Sequence, residues 1–338
     1  MEPDRRRRKI LFWVQVLLGL ALGVAALYLA AREVSFRELG LVLRSVNLPL
    51  LGLTLVSSLL TPVVKAIRWR WLFYPQRPAL GLARLTSLLA LGQAINILLL
   101  GRWGELARAY FTGEEAGISK SFVFGTIAAE KLLDMVVLAF LAMALIPFVA
   151  LPPWLAERVG YVVLAALIVS AIVIALLGGR DVWLRIAEKG LRTLPRPAAD
   201  RWGARLAAAL DGLRALRDRQ AAAAIWGWTL AAWLVGALTN LLLLAAFGLE
   251  PSLRIALFLL VVLQVGIAVP STPGKVGVFQ FLCVLALSVF AVPASVAFGY
   301  GVVLYLIVLG SICGWAVFGL LQRGLSLRRL TQVPTDWH

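Results

Sequence analysis

The chain has 338 residues, 61% hydrophobic and 15% charged, with a formal net charge of +16 and a mean hydropathy of +0.90. A soluble domain is nearer half apolar and a quarter charged, and barrel strands are short and alternate in hydrophobicity, so the composition excludes a soluble globule and a β-barrel. Several runs reach the ~20 apolar residues that a bilayer-spanning helix needs.

The expected fold is an all-α polytopic membrane protein with about 7–8 transmembrane helices plus one or two re-entrant segments. Residues 1–338 form a single integral domain, with a first half over 10–177, a cytoplasmic loop over 180–219 and a second half over 221–321. Basic residues gather between the apolar runs, the pattern of topology signals and anionic headgroup contacts rather than of nucleic-acid binding. Cys283 and Cys313 lie inside apolar runs and the one histidine, His338, is the last residue. No metal site, cofactor or histidine-based triad is therefore expected.

Arg5–Lys9 is basic and precedes the apolar run Ile10–Ala31. That run is too long for a signal peptide and ends without an obvious cleavage site, so it reads as the first span, entered from the cytoplasm. Arg32–Arg44 follows as a short external amphipathic segment. Leu48–Ala66 is the second span, with Pro62 near its inner end. Lys65, Arg68, Arg70, Arg77 and Arg84 come next with no acid among them, a cytoplasmic signal. Trp69, Trp71, Phe73 and Tyr74 interleave with these cations as an aromatic belt would, and a recruited lipid headgroup is the alternative for this patch.

Leu85–Leu100 is short for a full span and is broken by Gln93 and Asn96. Parity decides its path. The 180–219 loop carries ten basic and five acidic residues, so it and the 65–84 stretch both belong inside. Leu85–Leu100 must then enter and return as a re-entrant segment, which is tolerated where it is buried in protein or lines a cavity.

The next stretch, Gly101–Asp134, places Arg102, Glu105, Arg108, Glu130, Lys131 and Asp134 against or inside apolar runs. Glu130 and Asp134 are four apart and stack on one helix face. Carboxylates at membrane depth are costly and are matched with cations or aimed at a watery cavity. They either pair with Arg102 or Arg108 to hold the re-entrant piece, or act directly in translocation or proton coupling. General acid–base chemistry would also use two carboxylates, but nothing else supplies a nucleophile or metal, so no enzyme activity and no catalytic residue is assigned. Glu114 and Glu115 are expected in a solvated turn.

Ser119–Ala150 crosses outward and Val159–Leu177 returns. Trp202–Arg219 spaces Leu206, Leu210, Leu213 and Leu216 as a helix with a basic opposite face, suited to the inner leaflet. Ala221–Phe247 crosses outward, with Trp226, Trp228 and Trp233 as interface anchors. Arg254–Val269 and Val276–Val292 flank Pro270-Ser-Thr-Pro-Gly-Lys-Val-Gly277, and parity allows either two spans or a hairpin. Ala294–Leu321 returns to the inside, followed by a basic tail. In the motif, Pro270, Pro273, Gly274 and Gly277 break the helix. Exposed amides with Lys275 suit a phosphate or phospholipid headgroup, while the plainer alternative is a tight loop. Gly101-Arg-Trp-Gly104 and Gly274-Lys-Val-Gly277 form a weak internal echo, compatible with two inverted halves whose broken helices meet at a site.

GRWGELARAYF resembles a Pro/Gly-x-x-Gly-Glu-x-x-Arg segment, AAEKLLDM a Glu-Arg-x-x-Asp helix with Lys131 at the second position, and PSTPGKVGVFQF a Pro-x-x-Pro-Gly-x-x-Gly-x-x-Glu signature with Gln280 at the final glutamate. Together, over residues 10–320, they resemble the lysylphosphatidylglycerol synthase transmembrane region, a flippase-like membrane family. The resemblance implies kinship with the flippase half of the multiple peptide resistance factor, in a multi-pass plasma-membrane protein with both termini cytoplasmic. Its implied partners are membrane lipids (anionic or aminoacylated phospholipid, or polyprenyl or glycolipid), with a second copy or a pathway enzyme as protein partners. Apolar runs continue almost to the end, so no aminoacyltransferase domain and no synthesis of lysyl lipid is expected. Arg102, Glu105, Arg108, Glu130, Asp134 and Lys275 are the candidate substrate-path residues. A non-transporting lipid- or partner-binding subunit is the competing reading, and an enzyme on a lipid-linked substrate a further one.

Overall fold

The computed structural model describes residues 21–76, 78–98, 103–149, 196–268 and 273–322, with isolated positions between 150 and 195. The candidates Arg102 and Pro270, most of the expected crossing Val159–Leu177 and the basic tail lie outside the described residues. Among the described residues there is no strand, and the helices are α1 (Ala21–Ala31), α2 (Phe36–Ser45), α3 (Leu48–Leu72), α4 (Leu82–Leu98), α5 (Trp103–Ala116), α6 (Lys120–Leu145), α7 (Arg196–Asp211), α8 (Arg219–Ala246), α9 (Leu253–Ala268), α10 (Val278–Ser288) and α11 (Ala294–Leu321). Four of them are long and apolar enough to cross a membrane: α3, α6 with the turn that follows it, α8 and α11.

The helix starts follow from local chemistry. Asn47, Ser119 and Asp218 each accept a backbone N–H of the first turn, at 3.1 Å for α3, 3.4 Å for α6 and 2.8 Å for α8. Such caps satisfy amides that have no partner within the helix. The external amphipathic segment is α2, which is capped by Ser35 and buries none of its residues.

Two hairpins of short helices lie between the long ones. α4 (17 residues) folds back on α5 (14 residues), and α9 (16 residues) on α10 (11 residues). Each arm falls short of the ~20 residues of a full crossing. The first pair has the short, folded-back form expected of a re-entrant segment, and the two arms around the Pro-Gly motif pack together as a pair of the same kind.

The long helices make the symmetry legible. α3 runs antiparallel to α8: Asn47 N–H donates to the Ala246 carbonyl at 2.9 Å, and ten residues on, the Ser57 and Thr239 hydroxyls meet at 2.9 Å. The start of α4 is pinned to the end of α11, where Arg84 Nη1 donates to the Gly319 carbonyl at 2.6 Å. The start of α9 is pinned the same way to the end of α6, where Arg254 Nη1 donates to the Phe148 carbonyl at 3.2 Å. Residues 48–145 and 219–321 are thus two copies of span, hairpin, span, related by an inversion of direction. This is the arrangement that many transporters build around a site at the repeat interface.

The second glycines of the echoing motifs stand at the starts of α5 and α10. Gly104 N–H donates to Asn96 Oδ1 at 2.7 Å, and Gly277 N–H donates to Gln280 Oε1 at 2.7 Å, so each second glycine is held by a side-chain amide. Gly104 crosses α4 so closely that a Cβ would stand 1.9 Å from the Gly92 carbonyl oxygen. Gly104→Ala must push the arms apart, and about 2–3 kcal/mol of stability should be lost. Thermal unfolding of the purified variant in detergent reads this directly.

Four sequence expectations are corrected. The span expected over Leu48–Ala66 continues as α3 through Pro62 to Leu72, so Lys65, Arg68 and Arg70 are helical rather than loop residues. Trp69 and Phe73 are core, fully buried at 0% exposure, rather than belt residues. Glu115 is not solvated but is buried against Arg84 in an ion pair. Trp233 is buried inside the bundle rather than anchoring its surface. The amphipathic segment near 202–219 forms α7 and a short 3-10 turn; α7 docks on protein, with Gly125 of α6 admitting the Ala209 backbone.

The inverted halves also predict sidedness. Gly81, with open space around it, and exposed Glu250 precede equivalent hairpins. Cysteines placed at these two positions should react with an impermeant thiol reagent from opposite faces of sealed vesicles. Reaction from one face would contradict the inversion.

Candidate functional site

The two halves enclose a cavity of about 340 Å³. α3 contributes Ser58, Thr61 and Lys65 to it, one helix stripe that continues one turn on to Arg68. α6 contributes Glu130, Lys131 and Asp134, and the first hairpin Gln93 and Asn96. From the second half come Thr239 and Asn240 of α8, Gln264 of α9, Lys275 at the hairpin turn, and Tyr305 and Ser311 of α11. One wall is therefore polar and charged. Apolar side chains, among them Leu260, Leu263, Leu304, Val308 and Ile312, complete the lining beside these polar groups.

Behind the polar wall lies a buried ion network. Arg68, fully buried, donates to both oxygens of Asp134, at 2.5 and 3.2 Å, and its Nη2 stands 3.3 Å from Glu130 Oε1. The other Glu130 oxygen accepts from Arg108 Nη2 at 2.7 Å. The Arg108 guanidinium also stacks on Trp69, 3.6 Å from the ring centroid, and Trp69 Nε1 donates to Thr126 Oγ1 at 3.0 Å. Such stacking suits a desolvated guanidinium. Glu105 accepts from Asn96 Nδ2 at 2.9 Å and stands 3.8 Å from Lys131 Nζ. The Asn96 amide thus ties the start of α5 and the Glu105 carboxylate to α4.

Of the six candidates, Glu105, Arg108, Glu130 and Asp134 are brought into this network and Lys275 into the cavity lining. Lys275 has φ 57° and Gly274 φ 74°, a left-handed turn that the Gly274 carbonyl stabilises by accepting from Tyr305 Oη at 2.6 Å. Lys275 Nζ donates to the Ile267 carbonyl at 3.3 Å, near the end of α9. Of the expected loop residues, Pro273 and Gly274 begin this turn, and Gly277, φ 84°, ends it with no room for a Cβ beside the Gly23 carbonyl.

The residues that sequence reading missed are Arg68 and Lys65. Both sat in a basic cluster that the positive-inside pattern explains equally well. The available signal was their i, i+3 spacing, which on a continued helix faces both the same way while Arg70 faces outward. The demand of two buried carboxylates for more than one cation was a second signal.

No group of three metal-ligating side chains occurs among the described residues. A second hollow of about 640 Å³, between Tyr74 and Arg217, lies away from the ion network. The family model described as the lysylphosphatidylglycerol synthase TM region matches residues 16–325. No curated protein and no solved structure matches the chain.

Proposed function

We propose that this chain, which belongs to the lysylphosphatidylglycerol synthase TM region family, moves the polar headgroup of a membrane lipid between leaflets through the cavity at the interface of its two inverted halves. The observation that carries the reading is the cavity's mixed lining. A headgroup meets the charged groups of α3 and α6, while the apolar side chains that α9 and α11 add suit the first part of an acyl or prenyl chain.

The ion network gives that wall a fixed shape. Glu130 is buried and joins two arginines on different helices, α3 and α5, so it ties the first hairpin to the long helices. Asp134 lies one turn along the same face, shares Arg68, and is 22% exposed toward the cavity. Glu130 is the positioning residue, and Asp134 is the acid that a passing headgroup can meet.

Reconstitution tests the proposal. Vesicles containing only the purified chain should carry a labelled phospholipid to the opposite leaflet faster than protein-free vesicles. If no lipid moves and the chain copurifies with a stable partner enzyme, the non-transporting subunit is the correct reading.

A further inference from the structure

The acids of the cavity are already committed, and its cations are not all committed. Among the described charged residues in and directly behind the lining, five are cationic (Lys65, Arg68, Arg108, Lys131, Lys275) and three anionic (Glu105, Glu130, Asp134). Arg68 and Arg108 take up Glu130 and Asp134, and Lys131 stands by Glu105. The Lys65 ammonium lines the cavity within electrostatic reach of Asp134 but makes no ion pair or hydrogen bond among the described residues. Ser311 of α11, also in the lining and 1% exposed, has a hydroxyl with no hydrogen-bond partner. A cation without an ion pair and an unpartnered buried hydroxyl in one lining are complementary to an oxyanion, and a buried donor left unmet is costly. Gln280 adds no acid here, since its carbonyl is used by Gly277 and it lies outside the lining.

We propose that the cavity is an anion site for the phosphate of an amphiphile, with Lys65 as its principal cation and Ser311 as a donor, and that it disfavours a headgroup carrying an added amino group. The inference rests on the transport reading for its occupant being a membrane lipid, because the apolar side chains of Leu260, Leu304 and Val308 have no use for a free inorganic ion. An aminoacyl ammonium would enter a cavity of net positive charge and find each carboxylate already held by an arginine or lysine.

The test is equilibrium binding to the purified full-length chain in detergent, with dioctanoyl phosphatidylglycerol, its lysyl ester and inorganic phosphate as three separate probes. Phosphatidylglycerol should bind about tenfold more tightly than the lysyl ester. Lys65→Gln should lower its affinity by about tenfold, Lys65→Arg should keep most of it, and neither should shift thermal unfolding. Equal or tighter binding of the lysyl ester by the native chain would overturn the inference without reference to any variant. So would unchanged phosphatidylglycerol affinity in folded Lys65→Gln, or inorganic phosphate binding as tightly as the lipid. Selective binding with no lipid movement in vesicles would overturn the transport reading alone. Movement with no preference for the anionic lipid would overturn the inference alone.

Discussion

Arg68→Gln should be the most damaging single change, lowering stability by about 3–5 kcal/mol and sharply reducing the yield of folded protein. Arg68 is fully buried and, among the described residues, is the one that bonds both Glu130 and Asp134. Its removal leaves Glu130 with Arg108 alone and strips Asp134 of both hydrogen bonds. Breaking a buried ionic cluster costs more than the cluster contributes relative to apolar residues, because a charge stays behind without compensation. The double variant Arg68→Gln, Asp134→Asn removes one stranded charge. It should therefore melt higher than Arg68→Gln, with a coupling of about 1–3 kcal/mol in a double-mutant cycle. Additive losses would show that the two residues do not interact.

Asp134→Asn should separate transport from folding. Its carboxylate is partly exposed and faces the cavity, and Arg68 keeps Glu130 as a second partner when it is neutralised. The expected stability loss is about 1 kcal/mol, discounted for that exposure. Lipid movement should fall by about tenfold, since the charge that shapes the polar wall is lost. Glu130→Gln should instead lower both, because Arg108 then has no carboxylate partner in the network. Equal losses of transport and stability in Asp134→Asn would place it with Glu130 as a purely positioning residue.

The chain's membrane class, the shortness of the helix after Arg84 and the gathering of Glu105, Arg108, Glu130 and Asp134 with cations were legible from sequence. Each rests on a local rule: run length, parity of basic loops, and the cost of charge at depth. The i, i+4 pair of Glu130 and Asp134 pointed to a charged face on α6, and the last glycine of each Gly-basic-x-Gly, Gly104 and Gly277, marked the start of the second arm of each hairpin. The identity of the cations was less legible. Pro62 and the Lys65–Arg70 cluster read as the end of a span, yet α3 continues because the helix is packed against its neighbours rather than facing lipid or water. Trp69 and Phe73 followed the same error, since an aromatic beside a cation looks alike at a headgroup and in a core. Long-range pairings such as Arg84 with the α11 terminus and Arg254 with the turn after α6 had no sequence signal until the inverted packing brought their ends together.

The most direct measurement is a reversible block of the cavity itself. Gln93 lines it and is partly exposed, and Cys283 is fully buried, so Gln93→Cys in a chain with Cys313→Ser presents one accessible thiol. In vesicles, lipid movement by this protein should stop when a bulky thiol reagent is attached and return when the disulfide is reduced. Movement that continues at full rate with the cavity filled would contradict a path between the two halves.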